Sequence, residues 1–430
     1  MTRDKAKSSC PQCGAEVGLY LGDPLLQCRY CRTKLYMVPD DGIFSYILSP
    51  SQLYKHRVDH VLYLPYLRFK GFRFSLFRQG KIKTSHVDST IPASEGLTEL
   101  PSLGLAARIS PLSLNTGQIP RPLPKLNLGK FLAKANKMIE QGLREKPTTS
   151  FIMGQNVSLI FAPFVIVKET QKGRIALRPL WTAGTRLVWS EKEDILLHAK
   201  EKATEAHHGH PTSDLKFIPL ICPECGNDLP AISMASIPFC KYCGRLWPLN
   251  GMGLVPPRAY VLCKKWQPNL KFVPFYHFSI KLEGLPFDNR LAFLSRLLPY
   301  KYFPKNFSDE PIQLLVPAFR VNPSLYIRLG KRFTISETPF LASDDRIAAP
   351  ISPACGIDLS LDAALQSLPL LLLSIMGQRR NLFENVKKTN MKIIAMRVLF
   401  MPFEKNGREL VELHTGQAIP EAAIRFGRNL

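Results

Sequence analysis

A chain of 430 residues is too long for one ordinary core, and a composition of 45% hydrophobic and 21% charged residues excludes a disordered chain. Lys and Arg number 57 against 34 Asp and Glu, a net charge of +23. Residues 1–214 hold 30 basic and 18 acidic side chains and residues 215–430 hold 27 and 16, so the excess is no detachable tail and suits a polyanionic partner, nucleic acid or an anionic membrane surface.

The N-terminal stretch Met1 to Ser9 is polar and basic and leaves no room for a signal peptide before Cys10. The run Cys10-Pro11-Gln12-Cys13-Gly14 is then followed by Cys28-Arg29-Tyr30-Cys31. The pattern returns as Cys222-Pro223-Glu224-Cys225-Gly226 and Cys240-Lys241-Tyr242-Cys243, with 14 residues between the inner cysteines each time and a shift of 212 at all four positions. A Cys-x-x-Cys turn lets two thiolates converge on one ion, and the Gly after it permits the tight turn. Two such turns close a four-thiolate shell with no position left for water, which points to a structural metal rather than a hydrolytic one. Each tetrad resembles a zinc ribbon with a rubredoxin-type knuckle, and the chain as a whole resembles bacterial zinc-ribbon proteins of unsettled function. The resemblance implies two Zn2+ per chain; iron is the alternative occupant of the same shell. Only Cys263 and Cys355 fall outside the tetrads, so cysteine usage implies a reducing, cytoplasmic compartment and no disulfide framework.

Past the first ribbon (1–40), residues 41–189 read as a β-rich α+β domain. Val61 to Phe69 is an apolar strand interrupted by Pro65, which predicts an edge or a bulge there. The stretch after it interleaves cations with aromatics: Arg68, Lys70, Phe72, Arg73, Phe74, Arg78, Lys81 and Lys83 are the candidate nucleic-acid contacts, cations for phosphates and rings for bases. Lys70 to Phe77 partly resembles the RNP1 strand of RNA-recognition domains, but Arg73 and Ser75 depart from it. A stripe of apolar residues predicts a helix over Lys130 to Arg144. Residues 190–214, ending in His207-His208-Gly209-His210-Pro211, read as a linker.

The second ribbon (215–250) and a second β-rich domain (251–430) follow. Lys271 to Phe278 is again apolar around Pro274. Arg108-Ile109-Ser110-Pro111 finds a counterpart in Arg320-Val321-Asn322-Pro323, and Leu159 to Phe164 in Val398 to Phe403. A helix is predicted over Leu359 to Met376, kinked or split by Pro369. The fold class expected is α+β and β-rich, a tandem duplication in which each half pairs a four-cysteine zinc ribbon with a mostly antiparallel β domain carrying one or two helices.

No phosphate-cradling loop, nucleophile elbow or His-Glu-x-x-His run occurs. Asp344-Asp345 reads as a turn, and Cys263 beside Lys264 and Lys265 as a thiol in a strand. The longest apolar run, Leu368 to Met376, is too short to span a bilayer. The function these features imply is a non-catalytic zinc-binding protein that binds nucleic acid through its basic surface. The alternatives are an assembly protein whose ribbons dock partner subunits, and a rubredoxin-like iron redox protein. Nothing in the sequence sets the oligomeric state.

Overall fold

A computed structural model describes residues 7–18, 25–39, 43–54, 61–77, 82–93, 100–115, 149–182, 187–192, 215–230, 237–247, 259–261, 267, 269–285, 287–336, 353–376 and 389–427. The predicted helix over Lys130 to Arg144, the histidines at 207–210, Cys263 and Asp344-Asp345 lie outside them. The described chain is β-rich with few helices, as its alternating and β-branched segments imply. It divides into two units: residues 1–70, 87–146 and 155–218 form the first, and residues 71–86, 147–154 and 219–430 the second.

In unit one, β1 (Lys7–Ser9) pairs antiparallel with β2 (Glu16–Gly18), and β3 (Leu25–Gln27) with β4 (Lys34–Pro39). A later segment, β12 (Leu215–Pro219), lies beside β4. Val17, Leu26, Leu35, Met37, Leu215 and Phe217 form one apolar cluster with the buried Cys10 and Cys28. The larger sheet contains β5 (Phe44–Leu48), β6 (Leu62–Leu76), β7 (Ile82–Pro92), β8 (Leu112–Leu114), β9 (Thr149–Glu169), β10 (Arg174–Pro179) and β11 (Val188–Glu191); residues 71–76, 82–86 and 149–154 of these strands are counted with unit two. Its order is β11-β10-β9-β5-β8, with β6 joined to β9 and β7. The β5–β9 pair is parallel and the β10 pairs antiparallel. Its core is Leu48, Leu64, Tyr66, Ile160, Phe164, Ile175 and Leu177, with the short helix α1 (Ala106–Ile109) contributing Ala107.

Unit two is built on β13 (Ala259–Val261), β14 (Lys271–Glu283), β15 (Ile312–Pro317), β16 (Asn390–Asn406), β17 (Glu409–Glu412) and β18 (Ala418–Pro420), in the order β15-β14-β16-β17-β18 with β13 parallel to β16. From Phe272 to Phe278 every residue of β14 is buried, as a near-continuous apolar run in a central strand requires. Among its described residues this unit has four helices: α2 (Arg290–Leu297), α3 (Pro323–Thr334), α4 (Leu361–Met376) and α5 (Glu421–Gly427). The Asn289 side chain accepts from Ala292 N at 2.8 Å to cap α2; Asn322 accepts from Ser324 N at 3.0 Å to cap α3, whose first position is Pro323.

Two sequence expectations change here. Pro369 does not split its helix: α4 runs unbroken from Leu361 to Met376, and burial of ten of its side chains outweighs one lost backbone bond. In the ladders whose register is described, the strand prolines mark neither bulges nor sheet edges. The register shifts fall elsewhere, between Ser279 and Ile280 and between Ala176 and Leu177. Each proline instead sits one step beyond a ladder's last pair. Phe275 pairs with Pro317, and next Ala318 N donates to Pro274 O at 3.1 Å. Likewise Leu180 N donates to Pro163 O at 3.0 Å, Leu413 N to Pro402 O at 3.1 Å and Ala93 N to Pro65 O at 2.9 Å. In an antiparallel pair a residue's amide and carbonyl face the same neighbour, so the missing proline donor falls where pairing stops. Ala318 O, which would have accepted from residue 274, accepts from Leu359 N at 3.2 Å.

Candidate metal centres

Each tetrad is assembled by two backbone turns of one design. Cys10 N donates to Ala15 O and Gly14 N to Cys10 O, both at 2.8 Å; in the second ribbon Cys222 N donates to Asn227 O and Gly226 N to Cys222 O, both at 2.8 Å. The partner turns repeat it: Cys28 N to Thr33 O and Arg32 N to Cys28 O at 3.0 Å, and Cys240 N to Arg245 O and Gly244 N to Cys240 O at 2.8 Å. The fifth residue of each turn has positive φ: Gly14 74°, Gly226 71°, Gly244 71° and Arg32 59°.

These turns bring four sulfurs together. Cys10 and Cys31 Sγ lie 3.8 Å apart, Cys13 and Cys28 3.6 Å, Cys222 and Cys243 3.7 Å, and Cys225 and Cys240 3.4 Å; all four in each set lie within 4.8 Å of one another. A tetrahedron with metal–sulfur bonds of about 2.3 Å has edges of about 3.8 Å. A disulfide would need about 2.05 Å. The residues therefore fit a four-thiolate metal site. Cys10, Cys28, Cys222 and Cys240 are buried, while Cys13, Cys31 and Cys225 reach the surface.

Crowding splits the thiol affinities for protons. Thr33, through its hydroxyl and its amide, holds Cys31 down to about 6, and Asn227 does the same for Cys225, also to about 6. Burial pushes Cys240 up to about 12. Around Cys13 the Ala15 amide pulls downward, but burial and the Cys31, Cys28 and Cys10 sulfurs outweigh it and raise it to about 11. Four thiolates at these distances need a cation among them, the role of a divalent metal. Cys31 Sγ lies 3.2 Å from Thr33 Oγ1, and Asn227 Nδ2 donates to Cys225 Sγ at 3.4 Å, so each shell has an outer polar contact that orients a ligand.

The aromatic and basic stretch lies differently from a stacking platform. Phe72 and Phe74 are 5% and 0% exposed and belong to the apolar core of unit two, so neither offers a ring face to a base. Arg73 is buried as well. Arg68 donates from Nε and Nη2 to the two carboxylate oxygens of Asp88, each at 2.8 Å, and Arg108 Nε adds a 3.1 Å ion pair to the same carboxylate. Burial raises the Asp88 affinity for a proton, but Arg68, Arg108 and Lys70 outweigh it and hold its carboxyl below the ordinary range. Lys70 is exposed, and the Lys83 ammonium lies 4.5 Å from the centre of the Phe77 ring. Arg78 and Lys81 lie outside the described residues. Which residues of this strand the rest of the chain covers is not written in the local sequence.

The rings that are exposed stand elsewhere: Tyr30 and Tyr242 at the tips of the second knuckles, Tyr300 and Tyr302 after α2, and Phe426 in α5. The signal for them was available in the tight turns and their basic neighbours. Unit one also has a cavity of about 790 Å³ between α1 and the indoles of Trp181 and Trp189; its lining carries Ser102, Ser110 and Thr182 but no titratable side chain. Among the described residues no helix is long and apolar enough to cross a membrane. Compared with known proteins, the chain matches no family model, no curated protein and no solved structure.

Proposed function

We propose that this chain is a non-catalytic zinc protein, duplicated in tandem, that binds nucleic acid through its basic surface in a reducing, cytoplasmic setting. The observation that carries the metal half is the spacing of the sulfurs, 3.4 to 3.8 Å along the four measured edges, in two shells made wholly of cysteine. Such a shell is filled by its protein ligands, and the ion's work is to hold the turns together. Zinc suits a closed shell of four thiolates, and iron would give the same geometry with a red colour.

Support for duplication comes from matched details in the two units. The knuckle bonds recur atom for atom, β6 joins β9 as β14 joins β16, and β5 and β13 each add a parallel pairing to those long strands. Pro65, Pro163, Pro274 and Pro402 end their ladders alike. Support for nucleic acid comes from the charge of +23, carried by both halves.

Metal analysis of the purified chain tests the first half: two zinc ions per chain are expected, and Cys13→Ser and Cys225→Ser should each lose one. A full complement of metal in both variants, or a red iron protein, overturns the assignment. Binding of the intact chain to nucleic acid tests the second half. Retention should fall steeply with added salt as counterions are released; no retention at low salt overturns it.

A further inference from the structure

We propose that the turn Pro299-Tyr300-Lys301-Tyr302, which joins α2 to the 3-10 turn at Lys305–Ser308, is a stacking platform for single-stranded nucleic acid. The inference rests on the nucleic-acid reading above and gives it a place. Tyr300 is fully exposed and Tyr302 79% exposed, with the exposed Lys301 between them and Lys305 just beyond. Arg296 adds a third exposed cation, and Asp309 is the exposed acid of the segment.

The turn is held firmly at its base. Phe303 and Phe307 are buried, with ring centres 6.4 Å apart and planes 28° from parallel. The buried Arg290 guanidinium lies 3.8 Å from the centre of the Phe307 ring and pairs with Glu310 at 2.7 Å. Lys301 N donates to Leu298 O at 3.0 Å, and Phe307 N to Pro304 O at 3.1 Å. Two tyrosines thus stand on an anchored support without contributing their own burial to it. Rings presented in advance lose little freedom when a base stacks on them.

The rest of the surface supports the choice of partner. Five Phe and Tyr rings are exposed among the described residues, and each has an Arg or Lys next to it in sequence: Arg29 beside Tyr30, Lys241 beside Tyr242, Lys301 beside both Tyr300 and Tyr302, and Arg425 beside Phe426. Ring and cation together fit a base and its phosphate. A membrane-surface anchor would need a continuous apolar face, whereas the apolar neighbour Phe303 is buried and the other neighbours are proline and lysine. Of the sites with exposed rings, this one presents two together.

The test uses the full-length, metal-loaded chain and fluorescein-labelled oligothymidylate and oligouridylate, read by anisotropy at low salt. Tyr300→Ala and Tyr302→Ala should each weaken binding about tenfold. Tyr300→Phe with Tyr302→Phe should keep the affinity, because stacking uses the ring face. Lys301→Gln should lower the slope of log K against log salt by about 1. Wild-type affinity in the double alanine variant overturns the platform while leaving nucleic-acid binding in place. A wild-type chain that binds neither oligonucleotide overturns the functional reading itself. Tyrosine-dependent binding to phosphatidylserine vesicles, without oligonucleotide binding, assigns the turn to membranes and overturns both.

Discussion

Arg32 stands where the other three knuckles have glycine. Its φ of 59° puts an L side chain in the left-handed region, and its amide still donates to Cys28 O. That conformation costs an ordinary residue roughly 1–2 kcal/mol, part of which glycine returns through its freer unfolded chain. Arg32→Gly is therefore expected to leave metal content unchanged and to stabilise the first ribbon by up to about 1 kcal/mol, measured as the shift in its melting midpoint. His277 makes the opposite kind of statement. Burial in β14, with Arg397 nearby, drives its pKa down to about 3. The folded chain thus keeps the imidazole neutral while the unfolded chain takes a proton near pH 6.5. Stability is present above that pH and falls as the pH drops from about 6.5 toward 3, by up to about 1.4 kcal/mol per pH unit. His277→Gln should flatten this slope in urea melts between neutral and acid pH. The cysteines were legible because their spacing is their geometry. His277 was not, because nothing in Tyr276-His277-Phe278 says that both faces of the strand are covered.

Among the elements, the long strands and α4 were readable from alternation and apolar density, and their terminations were not. Proline in a strand was expected at an edge or a bulge; four prolines instead end ladders, because what decides the outcome is where the neighbouring strand stops. Pro369 was expected to kink or split its helix, and packing keeps that helix unsplit. The C-terminal helix α5 illustrates a constraint of another kind. A Cβ on Gly427 would lie 2.1 Å from the carbonyl oxygen of Arg320, and its other near neighbours are backbone atoms of Arg320 and Val321, so no flexible group can yield. Gly427→Ala should displace the end of α5 and cost roughly 1–3 kcal/mol, seen as a lower denaturation midpoint. The same test at Gly407 would read a different physics, since open space surrounds it but its φ is 59°.

For the whole chain, the two metal centres differ in what lies beside them: around Cys240, Ile237, Phe239 and Leu246 belong to the main core of unit two. Cys10 and Cys28 count among the buried residues of the small cluster with Val17, Leu35 and Phe217, whereas the larger clusters contain no metal-ligand cysteine. Chelation is expected to loosen the turns around Cys10 to Cys31 first and leave most of the sheet signal in circular dichroism, with heating then showing a later transition for the sheets. A single cooperative loss of all structure on chelation would contradict that order. Acid should release a bound metal as well, because protons compete for the thiolates; metal release should therefore increase as the pH falls.

The parallel pairings also carry a cost in time. Phe44 meets Ser158, 114 residues later, and Ala259 meets Val398, 139 residues later, while the sulfurs of a knuckle pair come from within 21 residues. Closing a loop of the longer kind is slow, whereas the thiolates can seize an ion as soon as a short stretch has left the ribosome. Synthesis from the N-terminus would thus give early anchorage at Cys10 to Cys31 and a prolonged wait for β5, whose parallel neighbour is translated only much later.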